Sequence, residues 1–127
     1  MTIDEDALEF DEDVRLFEGQ PFTGVARSVY PNGKVRNEMT FCHGFEDGVC
    51  RSWHSNGQLS REWHATRGVV NGKEYEWHES GAIKSVGYYV HGVELTFDKW
   101  NESGRLIENR SINWNTSLGA YAKQLLP

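Results

Sequence analysis

The chain has 127 residues, 38% hydrophobic and 25% charged, with a formal net charge of -6, which leaves room for one domain with a modest core shared along the molecule. No run approaches the roughly 20 apolar residues of a membrane-spanning helix. The opening MTIDEDALEF carries acids where a secretory signal has basic and then apolar residues, so the expected address is the cytoplasm. Seven of the nineteen acids lie in the first thirteen residues, and from Val14 onward twelve acids face thirteen bases. A nearly neutral body argues against nucleic acid as its direct partner, while the acidic segment argues for a basic one.

Residues 1–13 read as an acidic N-terminal arm, with Asp11, Glu12 and Asp13 as candidate contacts to a basic surface. Residues 14–23, VRLFEGQPFT, read as a degenerate leading strand. From there the chain repeats itself: SVYPNGKVRNEM, SWHSNGQLSREW, EWHESGAIKSVG and KWNESGRLIENR align, with Gly33, Gly57, Gly81 and Gly104 spaced by 24, 24 and 23 residues. Two further glycine series, Gly24, Gly48, Gly72 and Gly44, Gly68, Gly92, keep the same period. Each unit holds two turn signals separated by runs of seven or so residues, the pattern of short strands joined by hairpins. The expected fold is therefore an all-β repeat: a meander of consecutive β-hairpins, about four 24-residue units over 14–112. Residues 113–127 read as a C-terminal cap: Thr116 or Ser117 can start a short helix whose Leu118, Tyr121, Leu125 and Leu126 recur at helical spacing.

Strand register decides which side chains share a face. A three-residue loop, Pro31-Asn32-Gly33 and its equivalents, closed by a left-handed glycine in a G1 bulge, sets Trp53 across from Leu59. On this register one face is expected to collect Val29, Val35, Met39 and Phe41, then Trp53, Leu59, Trp63 and Ala65, then Trp77, Ile83 and Tyr89, then Trp100, Leu106 and Ile112. The other face is expected to carry Tyr30, Arg36, His54, His64, His78 and Tyr88, with Glu38, Glu62, Lys84, Asn101 and Asn109. That polar face is free to meet a partner.

Chemistry finds little purchase. His54 and His78 hold the same place in adjacent units, but strands two apart lie about 9 to 10 Å from each other, too far to share one zinc ion; no metal or cofactor is expected. Glu62 beside His54 or His64 suggests an acid/base pair, but Glu62 repeats Glu38 and reads as a cross-strand contact, and no activated nucleophile accompanies it. Catalysis is not expected. Cys42 and Cys50 read as free thiols, and the tryptophans read as core.

The pattern of Gly, four residues, aromatic, three residues, Gly, one residue, Leu or Ile, opening with PFTGVARSVYPNGK, resembles the MORN-variant repeat of the YwqK-like bacterial antitoxins over residues 22 to about 112. The resemblance implies a protein that neutralises a cognate toxin by binding it, with repeat positions acting as scaffold. The expected function is an immunity protein or antitoxin. Its partner would be a protein toxin, for instance a nucleic-acid-acting or deaminase-type effector, bound through Tyr30, Arg36, His54, His64, His78 and Tyr88. The acidic arm, by charge alone, would suit the basic cleft of such a toxin. A phospholipid-associated MORN scaffold and a glycan-binding module are the alternatives, and no membrane is expected as partner.

Overall fold

The computed structural model describes residues 1–126. Its frame is one long antiparallel sheet that grows two strands per unit: β5 (Gly24–Val29), β6 (Val35–Cys42), β8 (Gly48–Trp53), β9 (Leu59–Thr66), β10 (Val69–Trp77), β11 (Ile83–Val90), β12 (Val93–Trp100) and β13 (Leu106–Ser111) follow one another in sequence and in space. A two-residue strand β7 (Phe45–Glu46) pairs on β6. The expected meander of hairpins with a short C-terminal helix is the observed architecture.

Two kinds of turn alternate, each made by its residues. Within a unit the loop has three residues: His54 N–H donates to Gln58 C=O at 2.8 Å and Gly57 N–H to His54 C=O at 2.9 Å. Gly57 sits at φ +90, where a Cβ would be strained. The same pair of bonds recurs at Tyr30, His78 and Asn101. Between units the turns have two residues, both left-handed: His43-Gly44, Arg67-Gly68 and His91-Gly92, preceded by Glu18-Gly19 as a vestigial first copy.

The three-residue loop sets the expected partners opposite one another: Val29 and Val35, Trp53 and Leu59, Trp77 and Ile83, Trp100 and Leu106. One step later each hairpin slips again. Ser52 pairs with Arg61, so Ser60 is an extra residue, and the same irregularity falls at Ser28/Val29, Glu76/Trp77 and Lys99/Trp100. This second bulge reverses the alternation. Trp53 and Leu59 therefore lie on one face, and Trp63 and Ala65 on the other. The single apolar face expected from the sequence is divided, and so is the polar one.

Seven buried side chains of the sheet, Ala26, Ser28, Phe41, Cys50, Trp63, Ala65 and Ser85, belong to one side, called here the core face, while Val90 and Leu95 are buried at the far end beneath the C-terminal helix. Over its first unit the N-terminal segment folds down. β1 (Thr2–Asp4) runs parallel to β5, and a 3-10 turn (Glu5–Ala7) leads into a separate small sheet of β2 (Glu9–Asp11), β3 (Val14–Phe17) and β4 (Gln20–Pro21). Ile3, Leu8 and Phe17 pack on Phe22, Ala26 and Phe41, with Phe22 between Phe17 and Phe41 at 5.9 Å from each. The acidic segment of residues 1–13 is thus built into the fold, because Ile3 and Leu8 supply apolar contacts among the acids.

The helix α1 (Ser117–Leu125) starts at Thr116, whose hydroxyl accepts from Gly119 N–H. It docks through Ala122 and Leu125 on Val90, Val93, Leu95 and Ile112. Of the residues expected to dock, Leu118 and Tyr121 are exposed. The small residues face inward instead, because the helix lies so close that a Cβ at Gly119 would run into the backbone of Asn113 and Trp114.

Candidate partner-binding site

The side opposite the core face is uncovered except at its far end, where α1 packs on Val90 and Val93. Away from that end none of its side chains is buried among the described residues, although it holds Trp53, Tyr75, Trp77 and Trp100, half-buried, and Tyr88, exposed. Three rows cross it from strand to strand. Along the three-residue turns run the apolar pairs, from Val29/Val35 to Trp100/Leu106. Through the middle, strand by strand, run Arg27, Glu38, Arg51, Glu62, Tyr75, Val86, Asp98 and Asn109. Beyond these lie Thr40, Val49, His64, Lys73, Tyr88 and Thr96.

Over its first four strands the middle row is internally neutralised. Arg27 meets Glu38 and Arg51 meets Glu62, each at 2.7 Å with both partners partly exposed, and such solvated pairs contribute about 0 to 1 kcal/mol each. Glu62 is therefore a cross-strand contact, as Glu38 is. Tyr75 stacks on Trp77 with ring centroids 5.7 Å apart and planes 21° from parallel, which holds two aromatic surfaces side by side on the open face.

Of the residues expected as contacts, His64 and Tyr88 stand exposed on this face. Tyr30, His54 and His78 do something else. The Tyr30 hydroxyl donates to Trp53 C=O at 2.5 Å, and Nε2 of His54 and of His78 bond Trp77 C=O at 2.8 Å and Trp100 C=O at 3.0 Å. Since a carbonyl only accepts, both imidazoles carry their proton on Nε2. These three residues form a ladder that ties each unit to the next. Arg36 is the bulged residue of its hairpin and turns to the core face, where its Nε reaches Ser28 Oγ at 3.3 Å. His54 and Glu62 are thus engaged separately, one on a carbonyl and the other on Arg51.

A matching ladder closes the opposite ends of the hairpins. Gly44, Gly68 and Gly92 N–H groups donate to the carbonyls of Phe22, Glu46 and Val70, and the N–H groups of His43, Arg67 and His91 point to side-chain oxygens of Thr23, Asp47 and Asn71. Both acceptor series step by 24 residues. Asn32 and Asn56 add a third link, each amide donating to the next turn at 3.0 Å.

Asp11, Glu12 and Asp13 form the exposed tip of the β2–β3 hairpin, where Asp11 pairs with Val14 and Glu12 adopts φ 54. On the core face, Arg61 lies over Trp63 at 4.0 Å while its Nε meets Glu74 at 2.5 Å. Nearby, burial pushes the Glu46 carboxyl up despite Arg61 and Arg15, and burial holds the Cys50 thiol up at about 11. Cys42 is exposed, and both cysteines are free. Among the described residues no group of three His, Cys, Asp or Glu is placed to hold a metal ion. No helix of the structure is long and apolar enough to cross a membrane.

Period, glycine turns and ladders define a class of protein, the sheet that elongates by repeating one hairpin unit. The family comparison gives that class its name: residues 22–43, 46–65 and 70–91, just over half of the chain, match the MORN repeat variant, and the chain belongs to that family. Curated proteins give no match.

Proposed function

We propose that this protein is a stoichiometric binder of the immunity or antitoxin kind, which lays its open sheet face on a cognate protein toxin and occludes it. One observation carries the reading: the face opposite the core presents Trp53, Tyr75, Trp77, Tyr88 and Trp100 beside Arg27 and Arg51, and none of these side chains is buried. Trp, Tyr and Arg dominate the energetics of protein interfaces. The face is also rigid, since ladders fix every hairpin at both ends. Binding rather than catalysis is favoured because His54 and His78 are engaged with carbonyls and Glu62 with Arg51. The acidic β2–β3 tip is then a steering element for a basic partner.

The test is co-expression with candidate toxin domains taken from neighbouring genes, beginning with any whose expression alone stops growth. Growth should be restored by the wild type and lost with Tyr88→Glu or Lys73→Glu, while Arg36→Ala on the core face still protects. Protection indifferent to both face substitutions would sink the proposal. Neutralising the tip by Asp11→Asn, Glu12→Gln and Asp13→Asn should slow association at low salt only.

The exposed aromatic row also favours a second reading, a glycan platform on which rings stack sugars. Titration with soluble oligosaccharides, read by tryptophan fluorescence, separates the two.

A further inference from the structure

The last strand of the sheet pairs with β12 on one side and, among the described residues, with nothing on the other. All six residues of β13 are exposed. The first edge is finished differently: β1 lies along β5, and Val25 N–H donates to Met1 C=O at 2.9 Å. Open edges are commonly blunted by charged side chains, Lys above all, by Pro or by a bulge within the free stretch. Leu106–Ser111 contains neither Lys nor Pro, its two charges Glu108 and Arg110 meet each other, and its one irregularity falls at the turn, beside Trp100.

Which main-chain groups are free follows from one bond. Ile112 N–H donates to Leu95 C=O at 2.8 Å, and in an antiparallel ladder the direction alternates. Arg110 and Glu108 therefore also turn their main-chain groups to β12, and those of Asn109 and Ser111 point outward; the alternation stops at Ile107, the extra residue of the bulge. A second, antiparallel copy of this strand can engage them in registers centred on Asn109 or Ser111. Centred on Ser111, the charges of Glu108 and Arg110 fall opposite Trp114 and Ile112. Centred on Asn109, Glu108 of each copy faces Arg110 of the other, in the non-hydrogen-bonded positions where cross-strand side chains come closest, so that the ion pairs Arg110 makes with Glu94 and Glu108 of its own chain extend across the seam. The exposed Leu106 and Ile107 then run beside the segment leading to Trp114, itself 44% exposed.

We infer that β13 is a self-complementary edge: two copies of this chain pair antiparallel about Asn109, and the sheet continues across a two-fold axis. The inference rests on the edge alone and is independent of what the open face binds. A closed isologous contact of this kind uses up both edges and stops at two.

Sedimentation velocity of the full chain, from about 1 μM to about 1 mM, should show a monomer–dimer equilibrium. Asn109→Pro removes an outward N–H and no main-chain bond to β12, only the side-chain bond to Asp98, so it should yield a monomer with an unchanged far-UV spectrum. Glu108→Arg and Arg110→Glu should each be monomeric alone, because like charges then face each other, and should associate when mixed. A wild type that stays monomeric throughout, an Asn109→Pro variant that dimerises as before, or a mixture no more associated than its components overturns the inference.

Discussion

Two tryptophans that look alike in the sequence should behave differently when removed. Trp63 is 6% exposed on the core face, packed with Cys50 and Ala65 and covered by the Arg61 guanidinium. A tryptophan buries roughly 150 to 250 Å²; at about 25 cal/mol per Å² its loss, with the cavity left behind, comes to about 4 kcal/mol. Trp77 lies on the open face with one side in solvent and the other against Tyr75, and half the buried area gives about 2 kcal/mol. Urea denaturation followed by far-UV circular dichroism should therefore rank Trp63→Ala well below Trp77→Ala. For a chain of this size, the melting temperatures should fall by about 15 °C and about 8 °C. Equal losses would refute the division of faces, since they would put both rings in one core.

Tyr30→Phe removes one rung of the inter-unit ladder and leaves Trp53 C=O without that donor; a loss of about 1 kcal/mol in the same assay is expected. Thiol titration at pH 8 should modify Cys42 at once and Cys50 only on unfolding. Because burial raises the folded pKa of Cys50 to about 11, its contribution to stability is present below the unfolded value near 9 and is lost as pH climbs from there through about 11; Cys50→Ala should flatten that decline. The raised pKa of Glu46 has the same sign: burial favours the protonated carboxyl, so wild type should gain on Glu46→Gln as pH falls from 7 toward the carboxylate range, measured by parallel urea titrations.

Much of this fold could be read before the structure was seen. The phase-locked glycines give the hairpins, the three-residue turn gives the partners Trp53 and Leu59, and Thr116 gives the helix start. The second bulge could not be read, because its extra residue is Arg36, Ser60, Lys84 or Ile107, four side chains with no shared chemistry. Without it the parity of every strand beyond the turn is inverted, and Trp53 and Trp63 fall on the same side. The ladders were visible only as period. Tyr30, His54 and His78 repeat at 24 residues, as do Thr23, Asp47 and Asn71, but a repeated polar residue suits a surface contact as well as a rung. What distinguishes them is the carbonyl each one reaches, and that is a fact of three dimensions. Asn32 and Asn56 show the same limit, since an Asn at a turn is expected to bond its own backbone and these bond the next turn too.

The ladders have a consequence for how such a protein can change length. Every rung joins a residue to its neighbour one unit on, and none reaches two units away, so a further hairpin of 24 residues would find all of its partners waiting. Each addition lengthens the aromatic face by two strands, about 10 Å, and leaves the chemistry of the rows untouched. The sheet is in effect a ruler with one graduation per hairpin, and a lineage could match the span of a new partner by changing the count alone.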